Sequence, residues 1–279
     1  MPSTKRGPKD KLLAKNALAL QNTHTLAANL HIALLCTLVS VFYGGYALSP
    51  AGTTELPLYV VTADNPVRAG GPPYPLSSVR SVRVSTVQTL QLPSLLGAIF
   101  LLSSAEHAFY AATCRSYYRG FLHARVNPVR WAVQASALPL AASVHVYFCG
   151  LVLCSEVLVS YALAFAIALL GYWCERELAR EHGIGQPAVP FIAKLAVSGF
   201  YTLVCCRQAL ITAANNSMPA SVVVLIIGFL LLMLAQALPQ AIRLTGLGLT
   251  SRAEETLYAA QSAALNLLLM MCWLCMFKP

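Results

Sequence analysis

The chain has 279 residues, 57% of them hydrophobic and only 10% charged, with a mean hydropathy of +0.64. A water-soluble domain carries about 25% charged residues, so the composition excludes an ordinary soluble enzyme and points to a chain whose solvent is lipid. The formal charge of +9 is not a nucleic-acid signature, because the basic residues sort by membrane side, and no nucleic-acid partner is expected.

In chain order, residues 1–27 read as a basic cytoplasmic tail ahead of a membrane domain, 28–277. Such a tail suits a solvated segment near anionic lipid; a weak mitochondrial presequence is the alternative. Because it runs into a full-length apolar stretch, it does not resemble a cleaved signal peptide. Apolar runs then follow at 28–48, 90–113, 131–153, 154–174, 188–210, 219–241 and 256–277. Each holds roughly 20 residues, enough at about 1.5 Å per residue to cross a hydrocarbon layer about 30 Å thick. Backbone groups in lipid must be satisfied within the segment, so these runs are helices. The expected fold class is an all-α integral membrane protein, a seven-transmembrane helix bundle. Runs three and four meet near Gly150 with almost no loop, so six spans including one long kinked helix is the rival reading.

With the N-terminus cytoplasmic, thirteen basic residues lie inside (Lys5, Arg6, Lys9, Lys11, Lys15, Arg115, Arg119, Arg125, Arg130, Arg176, Arg180, Arg243 and Arg252). Four lie outside (Arg68, Arg80, Arg83 and Lys278), and Lys194 and Arg207 fall within runs. That asymmetry places the C-terminus extracellular or lumenal. The one long connection, 49–89, is then external. It carries two strand-like stretches, Leu58–Thr62 and Val79–Val87, around the turn sequence Gly70-Gly71-Pro72-Pro73, and so predicts a short β-hairpin. A two-stranded hairpin is marginal alone and must lean on the bundle or on a partner subunit. The sequon Asn215-Asn216-Ser217 sits too near the membrane for modification.

Ionisable groups inside apolar runs are costly and are candidates for function. Lys194, about six residues from the inner end of its run, is expected to snorkel to the interface. Glu156 and Arg207 read as outer edge charges able to pair, and His145 as a hydrogen-bonded core residue. His31, Glu106 and His107 form the strongest constellation: all three occupy the inner half of the first two runs. Neutral imidazoles beside a carboxylate can relay protons or hold water, and a structural hydrogen-bonded cluster accounts for them equally well. They lack the further spaced ligand of a metal site. The nine cysteines, including Cys205-Cys206 and the Cys272–Cys275 pair, read as apolar packing, with no metal expected. No hydrolase, phosphate-loop or nucleophile motif occurs, and the chain does not read as an enzyme.

The most specific string is Asn127-Pro128-Val129-Arg130-Trp131. Pro128 suits a first helical turn, and Arg130 and Trp131 suit headgroup anchors. The string resembles the opening of the third helix in the heliorhodopsins, the inverted-topology branch of the microbial rhodopsins. Leu20-Gln21-Asn22 with His31, His107, Gly171-Tyr172-Trp173 with Glu175, Pro190-Phe191, and Glu255, Tyr258 and Ser262 are similar in register. The resemblance implies a rhodopsin-like bundle, a homodimer to which the outer-loop strands contribute, and a photoreceptor-like, retinal-binding ancestry. In that family a lysine four residues after the serine of the seventh helix binds retinal; here Ser262 is followed by Asn266. The family's glutamate counterion falls on or beside Ala132-Val133-Gln134, with Val133 the best alignment.

The resemblance thus implies a member without a covalent chromophore. Its pocket, lined by His31, Glu106, His107, Val133, Ser262 and Asn266, would serve a binding or signalling scaffold that holds water, an ion, or non-covalently retinal or another apolar ligand. A structural membrane subunit working through loops and dimer face, a small proton-coupled transporter, and a light sensor with a non-covalent chromophore are the alternatives. The partners expected are the lipid bilayer, a second copy of the chain and an unidentified cytoplasmic protein.

Overall fold

The computed structural model describes residues 7–48, 55–64, 81–112, 115–180, 185–215 and 219–276. The turn at Gly70–Pro73 and the end of the 215–217 sequon lie outside these residues. The described chain is mostly helical. Helix α1, Pro8–Leu48, is followed by strands β1, Glu55–Asp64, and β2, Ser81–Gln91. Helices α2, Leu92–Ala112; α3, Arg115–Ala124; α4, Pro128–Phe148; and α5, Cys154–Ala179, come next. The chain then forms α6, Gly185–Asn215; α7, Ala220–Ala235; α8, Leu238–Leu244; and α9, Ser251–Met276.

Among the described residues, four helical segments are long and apolar enough to cross a membrane: Ser94–Ala112, Cys154–Ala179, Gln186–Ala214 and Ala220–Leu244. The other apolar runs are helical too, in α1, α4 and α9. Helix α1 packs on α2 and α9, α4 on α2 and α5, α5 on α6, and α7 on α9. The main core lies where these meet, around Phe100, Leu138, Val144, Ile167, Tyr201, Phe229 and Leu269.

Two segments differ from the sequence reading. The expected tail is helical from Pro8 and continuous with the first apolar run. Ala17, Leu20 and His24 on it are buried, so part of the tail packs and is not a free basic arm. The connection before Asn127 is also helical: in α3, Tyr118 and Leu122 stand one turn apart and join Ala17, Leu20 and Tyr110 in a second, smaller core.

The rival of one long kinked helix through Gly150 is replaced by a sharp turn. Helix α4 ends at Phe148, Gly150 adopts φ +90°, and α5 starts at Cys154. A Cβ on Gly150 would stand 2.4 Å from Thr212 Oγ1, so glycine is needed there for conformation and for space. The hairpin forms as expected: β1 and β2 pair antiparallel with an irregularity at Leu58/Tyr59. It leans on the bundle, where Tyr59 N–H donates to Val152 O at 3.0 Å.

Helix α7 breaks before α8 because Pro239 has no N–H to offer the carbonyl four residues back and its ring crowds that turn. Side chains satisfy the freed carbonyls. Gln261 Nε2 donates to Ala235 O at 2.7 Å, and Lys194 Nζ donates to Gln236 O at 3.1 Å.

Candidate functional site

At one end of the bundle, Asn127 caps α4 by accepting the Arg130 N–H on its Oδ1 at 3.2 Å. Tyr110 OH donates to the same oxygen at 2.6 Å. This cap fixes Arg130 and Trp131 on the first turn, and both turn inward. The Arg130 guanidinium bridges Glu175 on α5 and Glu255 on α9 and lies over the Tyr258 ring at 3.8 Å. Trp131 Nε1 donates to the other oxygen of Glu175, and Asn127 Nδ2 donates to Glu255 Oε2 at 3.2 Å. Arg130 and Trp131 are each only 3% exposed. The expectation that they anchor at headgroups is therefore corrected: a guanidinium whose fork meets the buried Glu175 and the partly buried Glu255 is better satisfied inside the protein than at an interface. The close approach of α4 and α5 depends on Gly171, where an added Cβ would sit 2.3 Å from the Trp131 ring.

Lys194 stands behind that ring, with Nζ 5.3 Å from its centre. It is fully buried and donates to Gln236 O and, at 3.0 Å, to Gln240 Oε1. Gln240 Nε2 in turn donates to Gly171 O at 2.8 Å. Snorkelling is thus overturned: the helix break at Pro239 supplies the acceptors that a buried ammonium or amine needs, and the side chain turns to them.

Next to the arginine cluster, three histidines form a ladder. His31 and His107 stack with ring centres 5.0 Å apart, and His107 and His24 stack at the same spacing. His24 shares a hydrogen bond with His107 between their Nδ1 atoms at 2.7 Å, and another with Tyr118 OH at 2.6 Å. His31 Nδ1 bonds Ala27 O at 2.7 Å, which leaves its Nε2 as the acceptor for the Asn266 amide. The pairing of His31 with His107 agrees with the sequence reading. Sequence reasoning missed His24 and Tyr118, because both lie outside the apolar runs: His24 in the basic stretch before the first, Tyr118 in the connection between the second and third.

Glu106, adjacent to His107 on α2, faces a cavity with about 10 Å³ of free volume, also lined by His24, His107, Arg130, Gln134, Glu255, Tyr258, Ala259 and Ser262. That is room for about one water. Four buried atoms of its lining residues have no hydrogen-bond partner among the described residues: His107 Nε2, Arg130 Nε, Gln134 Oε1 and Tyr258 OH. A water there would have the two to four polar partners that buried waters require. Val133, the expected counterion position, does not line this cavity; it packs against the apolar core, and its neighbour Gln134 faces the polar side. A one-residue change on a helix rotates the side chain by about 100°, and sequence alignment alone does not settle that rotation. Ser262 reaches the cavity, while Asn266, one turn further along α9, belongs to the ladder.

The remaining candidates are separate. Glu156 accepts the Leu153 N–H at 3.2 Å and so helps start α5. It shares a surface groove with Arg207 but forms no ion pair with it among the described residues. His145 lies far along α4 beside Tyr201 and Phe229. Cys205 is buried and Cys206 exposed, diverging as adjacent helical residues must.

No curated protein matches the chain at a significant level. The heliorhodopsin family model matches residues 66–259, more than half of the chain. That range includes the Asn127-Pro128-Val129-Arg130-Trp131 string, Glu175, Glu255 and Tyr258, which the fold gathers around one guanidinium. The chain belongs to the heliorhodopsin family, and is a rhodopsin-like, multi-pass integral membrane protein.

Proposed function

We propose that this heliorhodopsin is a seven-span bundle, N-terminus cytoplasmic, that does not attach retinal covalently and acts as a binding and signalling scaffold. The observation that carries the reading is Asn266. It stands where the family resemblance places the retinal-binding lysine, is 1% exposed, and gives its amide to His31. A carboxamide cannot form a Schiff base. The cavity beside Ser262 is of water size, which favours a hydrated polar junction between α1, α2 and α9 over a resident apolar chromophore. Such a junction can pass a change at the surface helix α3, through Tyr118 and His24, to the last helix through His31 and Asn266. The loops, the hairpin face of a homodimer and the cytoplasmic end are where partners would read it.

Purified protein incubated with all-trans retinal and reduced with borohydride is expected to carry no adduct, either on α9 or at Lys194, whose amine is already engaged. A stoichiometric adduct on any residue of the bundle would overturn the reading. Tags at Met1 and Pro279 are expected on opposite sides of the membrane; finding both on one side would remove a span.

One second reading has its own support. The Tyr118–His24–His107–His31 series is a run of groups able to pass a proton, which suits a proton-coupled transporter. Proton flux in liposomes abolished by His107→Phe would select it over the scaffold.

A further inference from the structure

The second polar island of the bundle lies away from the histidine ladder. His145, on the last turn of α4, and Cys149, its C-cap, stand one helical turn apart and face Cys205 of α6. All three are buried, and their ligand atoms, one from each residue, lie within 4.8 Å of one another. His145 Nε2 is 3.7 Å from Cys149 Sγ. A trigonal site with bonds of about 2.3 Å to sulfur and 2.0 Å to nitrogen sets its ligand atoms about 3.7–4.0 Å apart. The His145–Cys149 pair is at that spacing, and Cys205 Sγ lies within 4.8 Å of both, close enough for a small shift of α6 to close the site.

The surroundings hold each ligand in place. The His145 Nδ1 is bonded to Tyr201 OH at 2.8 Å, which turns Nε2 toward the two sulfurs. This is the outer hydrogen bond that orients metal-binding imidazoles. The ring stacks on Phe229 at 4.2 Å. Cys149 is anchored through its carbonyl, which accepts from Thr212 Oγ1 at 3.0 Å at the tight Gly150 turn. A surface groove of about 270 Å³ is lined by Glu156, Ser160, Tyr201 and Cys205 among others.

We propose that His145 Nε2, Cys149 Sγ and Cys205 Sγ form a three-coordinate site for a soft monovalent cation, Cu(I). Two sulfurs and one imidazole are the donors such an ion prefers. The site offers three ligands in an apolar shell, where Zn(II) would take a fourth. On binding, the ion displaces thiol protons to bulk water, and no electron is transferred.

The test uses the full-length protein in detergent, reduced and handled without oxygen, loaded with Cu(I) and challenged with bicinchoninate. About one copper per chain should be retained by the wild type and by Cys206→Ser, the exposed neighbour. Cys205→Ser and His145→Gln should each lose retention, and Tyr201→Phe should weaken it by about 10–100-fold through loss of the orienting bond. X-ray absorption should report two sulfur ligands and one nitrogen. Thermal melts of the metal-free variants identify any that fail to fold; for such a variant, the absorption spectrum of the wild type and the Tyr201→Phe titration decide. Loss of all copper to the competitor, equal loss in Cys206→Ser, or retention of Zn(II) in preference to Cu(I) would each overturn the proposal.

Discussion

Asn266 gives a hydrogen of its Nδ2 to Nε2 of His31, tying the last helix to the first across 235 positions of sequence. Both side chains are almost wholly buried, so each depends on the other for a partner in low dielectric. Truncating either one leaves the other's polar group unsatisfied. His31→Phe and Asn266→Leu should each lower stability by about 1–3 kcal/mol. The double variant should lose clearly less than the sum, because it removes both ends of the bond. Unfolding midpoints of the four proteins in one detergent give the coupling; additive losses would mean that the bond contributes nothing.

The Arg130 cluster has the opposite asymmetry, since one cation holds two carboxylates. Arg130→Met leaves the buried Glu175 and the partly buried Glu255 without their counter-charge and should destabilise the fold by about 3–5 kcal/mol. Arg130→Lys keeps the charge but cannot span both acids and stack on Tyr258, so it should recover only part of that loss. Thermal melting of the two variants in parallel checks the order; full recovery by lysine would show that charge alone, without the fork, holds the cluster.

Gly171 tests how closely α4 and α5 must approach. Gly171→Ala would drive a methyl group into the Trp131 ring, and overpacking of this kind costs about 1–3 kcal/mol. The displaced indole would also loosen the Trp131 bond to Glu175. Tryptophan fluorescence of the variant should shift along with the melting temperature, and a normal melt with normal emission would mean that the helices part without penalty.

Much of this arrangement could be read from the chain, and the parts that could not share one cause. Helix positions followed from apolar runs, the α4 start from Asn127-Pro128, and the hairpin from β-branched stretches around a Gly/Pro turn, because each signal is local. What local signals leave open is which way a polar side chain turns. Arg130 has the look of a headgroup anchor until Glu175 and Glu255, distant in sequence, arrive beside it. Lys194 has the reach to snorkel, yet the carbonyls freed by Pro239 on another helix hold it inside. His24 sits in a basic stretch whose charges suggest water, while its own face, with Ala17 and Leu20, is buried. The choice between Val133 and Gln134 required the actual rotation of α4. Resemblance to the family brought Glu175, Glu255 and Tyr258 into view without saying that they meet at one arginine.

Outside the apolar part of α9, Glu254 forms an ion pair with Arg243 at 3.1 Å, both side chains buried. Burial raises the carboxyl pKa above its ordinary 4.5, and the Arg243 charge offsets that only in part. The sign follows from proton linkage. A carboxyl whose folded-state pKa is raised contributes stability that is fully present below 4.5 and lost as pH rises through the raised value, because the folded protein still holds a proton that the unfolded chain has released. Glu254→Gln has no such titration. The melting temperature of the wild type relative to this variant should therefore fall as pH is raised from about 4 toward 7. Arg243→Gln removes the offsetting charge, so its own pH dependence should be steeper than that of the wild type, and the Glu254→Gln/Arg243→Gln pair should flatten again. A wild-type to Glu254→Gln difference that is constant with pH would place the carboxyl at its ordinary value and remove the burial argument.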